Sequence, residues 1–173
     1  MADAATLPTC AIGQRMPAFR ARWRTAVVTN DAVVGRWLIV ASLPRSDHRC
    51  RDMTALIQAS ALIRKRRALM VILVEDTEGE ADLIGSMTDC RDEHNDLLVL
   101  ADPDGRVASG LGMKRPDGRL QPASLVVDPD GIACGLIHHH PETPPPVDSI
   151  LAMFDALRAG RAGCSSVQAD HHA

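Results

Sequence analysis

An α/β layer fold, with a central mixed β-sheet flanked by helices, follows from three features of this 173-residue sequence. The runs "WLIVASL" (37–43), "ALMVILV" (68–74), "LLVLA" (97–101) and "ASLVVD" (123–128) are short, continuously apolar and partly β-branched, as strands buried on both faces are. Apolar residues at helical spacing occupy segments between the runs. Turn tetrapeptides rich in Pro, Asp and Gly punctuate the chain. Strands that alternate with helices stack into an α/β arrangement.

Taken in order, residues 1–11 read as a flexible leader and residues 12–160 as one domain. After the first apolar run, Met53, Leu56, Ile57 and Ala61 recur at helical spacing. The basic run Arg64-Lys65-Arg66-Arg67 then closes that helix, because cations are favoured in a last turn. A second helical pattern carries Leu83, Ile84 and Met87 before the third run. "DPDG" occurs at 102–105 and at 128–131, and the second copy, followed by "IACGLIH", reads as a hairpin joining two late strands. "RPDG" (115–118) marks another turn. The segment "HHHPETPPPV" (138–147) is an extended, Pro-rich connection. Asp148 can cap a last helix bearing Ile150, Leu151, Phe154 and Leu157 on one stripe, stopped by Gly160, with a disordered tail over 161–173.

Composition excludes several classes. The chain is 46% hydrophobic and 24% charged, which is enough apolar content for a core, and its net charge of −3 provides no basic field for nucleic acid. No apolar segment approaches the ~20 residues that span a bilayer, and the N-terminus lacks a signal core, so a cytoplasmic protein with no membrane partner is expected. Five cysteines (Cys10, Cys50, Cys90, Cys134 and Cys164) at wide, irregular spacings form neither a disulfide framework nor a C-x-x-C site. With no Tyr and two Phe, the core must be aliphatic.

Several segments together resemble the peroxiredoxins. "IGQRMPAF", with Gly13, Pro17 and Phe19, is similar to that family's entry into a first hairpin. "GRWLIVASLP" is similar to its core strand and to the proline opening its active-site loop, "LLVLADPDGRVASGLGM" to its "ADPDG" segment, and "ASLVVDPDG" to the following hairpin strand. The resemblance covers residues 12–158 in order and implies a thioredoxin-like fold of the peroxiredoxin type. It puts Cys50 at the peroxidatic position and Pro44 at the loop proline. The family pattern runs Pro, three residues, Thr, two residues, Cys; here Pro44 lies six residues before Cys50 and Asp47 stands at the Thr position. Pro122 stands where the family keeps an arginine before the late strand, and it is similar to the cis-proline of thioredoxins. Arg45, Arg49 and Arg119 are the candidates to replace that arginine.

The local chemistry of Cys50 supports a reactive thiol. A thiolate is the attacking species, and a helix N-terminus together with Arg45, Arg49 and Arg51 favours it, against Asp47 and Asp52. A cysteine merely packed at a turn is the alternative. By resemblance Cys90 is the candidate resolving cysteine; Leu83, Met87 and Cys90 also share a helical stripe, which makes Cys90 equally a small core residue. Cys134 reads as core. His138, His139 and His140 alternate across a strand and do not converge on an ion, so they are expected to be a solvated strand end and no metal site.

The resemblance implies a thiol-dependent antioxidant oxidoreductase with Cys50, Cys90, Pro44 and Arg49 at its site. It implies a hydroperoxide substrate, a thiol reductant such as a thioredoxin-like protein and no cofactor, and it allows a homodimer. Two alternatives stand beside it. One is a redox-inactive thioredoxin-like binding or assembly module, and the other a one-cysteine thiol–disulfide exchanger.

Overall fold

The computed structural model describes residues 12–23, 26–44, 48–75, 97–115, 117 and 119–169. Within them the chain runs β1 (Arg20–Trp23), β2 (Ala26–Thr29), a short 3-10 turn (Asn30–Ala32), β3 (Trp37–Leu43), α1 (Arg49–Lys65), β4 (Ala68–Val74) and β5 (Leu97–Ala101). Then follow α2 (Arg106–Gly110), β6 (Ala123–Val127), β7 (Ala133–His138) and α3 (Val147–Ala169). The expected leader and the pattern around Leu83 to Cys90 lie outside the described residues.

The strands form one mixed sheet in the order β2-β1-β5-β4-β3-β6-β7. β3, β4 and β5 are parallel, and β6 runs antiparallel to β3. Parallel strands need cover on both faces, and the alternation of side chains divides the core accordingly. Leu38, Val40, Leu69, Val71, Leu73, Leu98, Leu100 and Leu125 face one way and meet Met16, Val33, Leu111 and Met113. Ile39, Ala41, Leu43, Met70, Ile72 and Val99 face the other way and meet α1 and α3.

On α1 the buried stripe is Met53, Leu56, Ala59 and Ile63. Ile57 is half-buried and Ala61 is exposed, contrary to the sequence reading. At 3.6 residues per turn Ala61 falls about 140° round the helix from Leu56, so it cannot share that face. The basic run does close α1, with Arg64 and Lys65 in its last turn, and the Arg66 guanidinium reaches across to Asp155 of α3 at 2.8 Å.

Both "DPDG" turns form, with different consequences. In the first, Gly105 adopts φ 60° and Asp102 turns back to accept hydrogen bonds from the N–H groups of Val107 (3.1 Å) and Ala108 (2.9 Å), starting α2. In the second, Gly131 adopts φ 78° and Asp128 Oδ1 accepts from the N–H groups of Asp130 and Ile132, closing the β6–β7 hairpin. Positive φ at these two positions is what glycine permits.

α3 departs from expectation at both ends. It begins at Val147, so Asp148 lies in the first turn rather than capping it. Its backbone continues through Gly160 to Ala169, where a stop at Gly160 and a disordered tail from 161 were expected. A glycine without positive φ does not end a helix, and Arg161, one residue on, pairs with Asp128 and Asp130 of the hairpin turn.

Candidate functional site

The register brings the C-terminal ends of β3, β4 and β5 to one edge of the sheet, since Leu43 pairs with Val74 and Val74 with Ala101. Ligands in open α/β sheets collect outside such carboxyl ends. β6 starts at the same edge and is fastened to β3 by a buried side chain. Ser42 Oγ accepts the Ala123 N–H at 2.9 Å and donates to the Gln121 carbonyl at 2.6 Å.

Pro44 follows β3 directly and is half-buried. Five residues later α1 begins, and Cys50 sits exposed in its first turn. There the leading N–H groups have no intrahelical partners and present partial positive charge. His48 occupies the N-cap without a side-chain hydrogen bond, and the Asp52 N–H closes the first turn onto the His48 carbonyl at 3.0 Å. Arg49 precedes Cys50 and is half-buried, with Nε and Nη2 shut off from solvent. An arginine at the first position of α1 adds fixed positive charge at the helix start.

Asp52 lies buried beneath this turn and pairs with Arg51 Nε at 2.9 Å. Arg51 Nη1 also donates to the Glu142 carbonyl at 3.2 Å, tying α1 to the segment after β7. That segment contains His139, which is only 6% exposed and whose Nε2 is buried without a hydrogen-bond partner. Burial, assisted by the neighbouring His138, pushes the His139 pKa down to about 4, and the Asp52 carboxylate pulls the other way. The expectation of a wholly solvated histidine run is therefore corrected at its middle member. Alternation along an extended chain carried that signal, because it turns His139 away from exposed His138 and His140.

Other sequence-predicted positions separate. Asp47, Arg45, Cys90 and Cys10 lie outside the described residues, and Cys164 lies on α3. Cys134 is half-buried on β7, its Sγ directed at the Ile132 carbonyl, and burial pushes its thiol pKa up, as befits a packed residue. Arg119 is exposed. None of the peptide bonds among the described residues is cis, so Pro122 does not reproduce the thioredoxin cis-proline; its carbonyl accepts the His139 N–H at 2.8 Å. Among the described residues no cluster of three or more His, Cys, Asp or Glu is placed to hold a metal ion, and no helix is long and apolar enough to cross a membrane.

Solved structures decide the fold. AhpC of Enterococcus faecalis matches with a TM-score of 0.72 at 17% identity, over 95% of this chain and 98% of that one. A cysteine-to-serine mutant of the peroxiredoxin 6 of Arenicola marina matches at 0.73 and 21%, over 86% and 73%. The fold is that of the peroxiredoxins. The yeast mitochondrial 1-Cys peroxiredoxin, whose thiol is resolved via glutathione/thioredoxin systems, matches at 0.72 and 16%, over 89% and 79%. No family model and no curated protein matches the sequence. On this peroxiredoxin-type sheet, Pro44 follows the end of β3, and Arg49 and Cys50 open α1.

Proposed function

We propose that the protein is a thiol-dependent peroxidase acting through Cys50. The observation that carries this reading is an exposed cysteine in the first turn of α1, at the carboxyl edge of a peroxiredoxin-type sheet, preceded by an inward-drawn arginine. The thiolate attacks the terminal oxygen of a hydroperoxide; the O–O bond breaks, the S–O bond forms, and the alkoxide leaves with a proton from solvent. Sulfur is oxidised to the sulfenic acid and the peroxide is reduced to alcohol. A thiol, from Cys90 or from an external reductant such as a thioredoxin-like protein, then condenses with the sulfenic acid, releasing water and leaving a disulfide that a second thiol reduces. The reducing cytoplasm is the compartment that supplies such thiols.

The exposure of Cys50 favours a second reading as a one-cysteine thiol–disulfide exchanger, because an open thiolate also reaches a protein disulfide. One experiment separates the two. The reduced protein and Cys50→Ser are treated with stoichiometric hydrogen peroxide and a sulfenic-acid probe, and peptide masses are read. Rapid labelling at Cys50 alone supports the peroxidase. Equal, slow oxidation of wild type and Cys50→Ser overturns it, and a mixed disulfide trapped on Cys50 when a disulfide-bonded substrate protein is added in place of peroxide selects the exchanger.

A further inference from the structure

A cleft of ≈ 340 Å³ opens between the entry segment and α2, lined by Pro17, Phe19, Arg20, Arg106, Val107 and Leu111. Its size falls in the ~300–1,000 Å³ range of small-molecule sites. It lies away from Cys50. Arg22 of β1 pairs with Ala101 of β5, three strand spacings from β3, or about 15 Å across the sheet. Phe19, Val107 and Leu111 also pack on the face opposite α1.

Side chains hold both walls in place. Asn30 clamps one wall, accepting the Phe19 N–H on Oδ1 at 2.6 Å and donating from Nδ2 to the Pro17 carbonyl at 2.8 Å. Buried Asp102 fixes the other through its two bonds to the N–H groups of α2. Where the walls meet, a Cβ on Gly110 would come within 3.1 Å of Pro17 Cγ, so the seam is closed. A site assembled in advance loses little ordering entropy on binding. The cleft continues into a second of ≈ 420 Å³ that shares Ala18 and Phe19 and runs past Met16 and Val34. Val34 is 48% exposed, an apolar surface open to cover.

Both charged residues that line the first cleft are cationic, whereas the second is lined by Arg15 and Asp31. Among the described residues, Arg20 is exposed without an ion-pair partner, and Arg106, 80% exposed, has Asp104 at 3.7 Å as its ion-pair partner. Two guanidiniums beside an apolar floor match a carboxylate head joined to an aliphatic body, since the arginine fork pairs with carboxylates in two-point geometry. We propose that this cleft binds an aliphatic monocarboxylate, its head between Arg20 and Arg106 and its chain along Phe19, Val107 and Leu111.

The test is calorimetric titration of the full chain with sodium decanoate, 1-decanol and acetate, repeated on Cys50→Ser to separate this site from the thiol. Decanoate is expected to bind both proteins alike, with Kd below about 1 mM, and acetate and decanol at least about tenfold more weakly, having only tail-free head or head-free tail. In Arg20→Ser/Arg106→Ser, decanoate affinity falls at least about tenfold, and Ala18→Trp, which fills the cleft from an exposed position, removes binding; all variants keep the wild-type melting transition. Undetectable decanoate binding, equal binding to the double-arginine variant, or unchanged binding to Ala18→Trp overturns the proposal.

Discussion

Burial and the neighbouring His138 hold the pKa of His139 down to about 4 against the pull of the Asp52 carboxylate, so the imidazole beneath the Cys50 turn is neutral in the folded protein at neutral pH. The unfolded chain takes up that proton near pH 6.5, whereas the folded chain does so only near 4. Between those values the unfolded state binds more protons, and stability falls as pH falls through this window. Urea unfolding at pH 7 and pH 4.5 should differ by on the order of 2 kcal/mol from this group. His139→Gln, which cannot titrate, should flatten that part of the profile. An unchanged slope in the variant would remove His139 as its cause.

Arg49 precedes Cys50 in the chain at the start of α1, and two of its guanidinium nitrogens are shut off from solvent. Replacing it with Met keeps length and removes charge, so alkylation of Cys50 by iodoacetamide at pH 7 should slow by roughly tenfold, with Arg49→Lys in between. Cys134, half-buried with its thiol pKa pushed up, provides the internal standard and should alkylate slowly in every variant.

Ser42 joins the end of β3 to the start of β6 with one accepted and one donated bond. Ser42→Ala leaves the buried Ala123 N–H without that acceptor, and chemical denaturation should register a loss of about 1–3 kcal/mol. Hydrogen exchange at Ala123 reports the local opening directly.

Phe154 is fully buried and meets Trp37 edge-on at 5.5 Å between ring centroids, locking α3 to the sheet. Phe154→Ala should cost about 3–5 kcal/mol, and Phe154→Leu distinctly less, because the cavity left is smaller. Equal losses in the two variants would show that cavity volume does not set the cost here.

Local pattern sufficed for much of this molecule. The bounds of β3, β4 and β5 coincide with the apolar runs because a strand covered on both faces must be apolar at every position, and β6 differs only in leaving Asp128 to the turn. The start of α1 was nearly as legible: the sequence put it near Arg51, after the apolar run ends, and it begins at Arg49. Periodicity was less informative about which residues of α1 are buried. Ala59 and Ile63, rather than Ala61, meet the sheet, and that choice depends on how the helix axis lies across β3 and β4. α3 continues past Gly160, and Arg161 there pairs with a turn some thirty residues earlier in sequence.

The candidate site divides along the same line. Composition and spacing placed a cysteine, a proline and an arginine at a strand-to-helix junction, because those are neighbours along the chain. Burial of His139 and Asp52, the inward course of Arg49, and the cleft between Phe19 and Val107 arise where segments distant in sequence pack together. No one-dimensional pattern carries those contacts: desolvation and charge pairing depend on which surfaces meet, and that is fixed only when the sheet, its helices and the late loop close on one another.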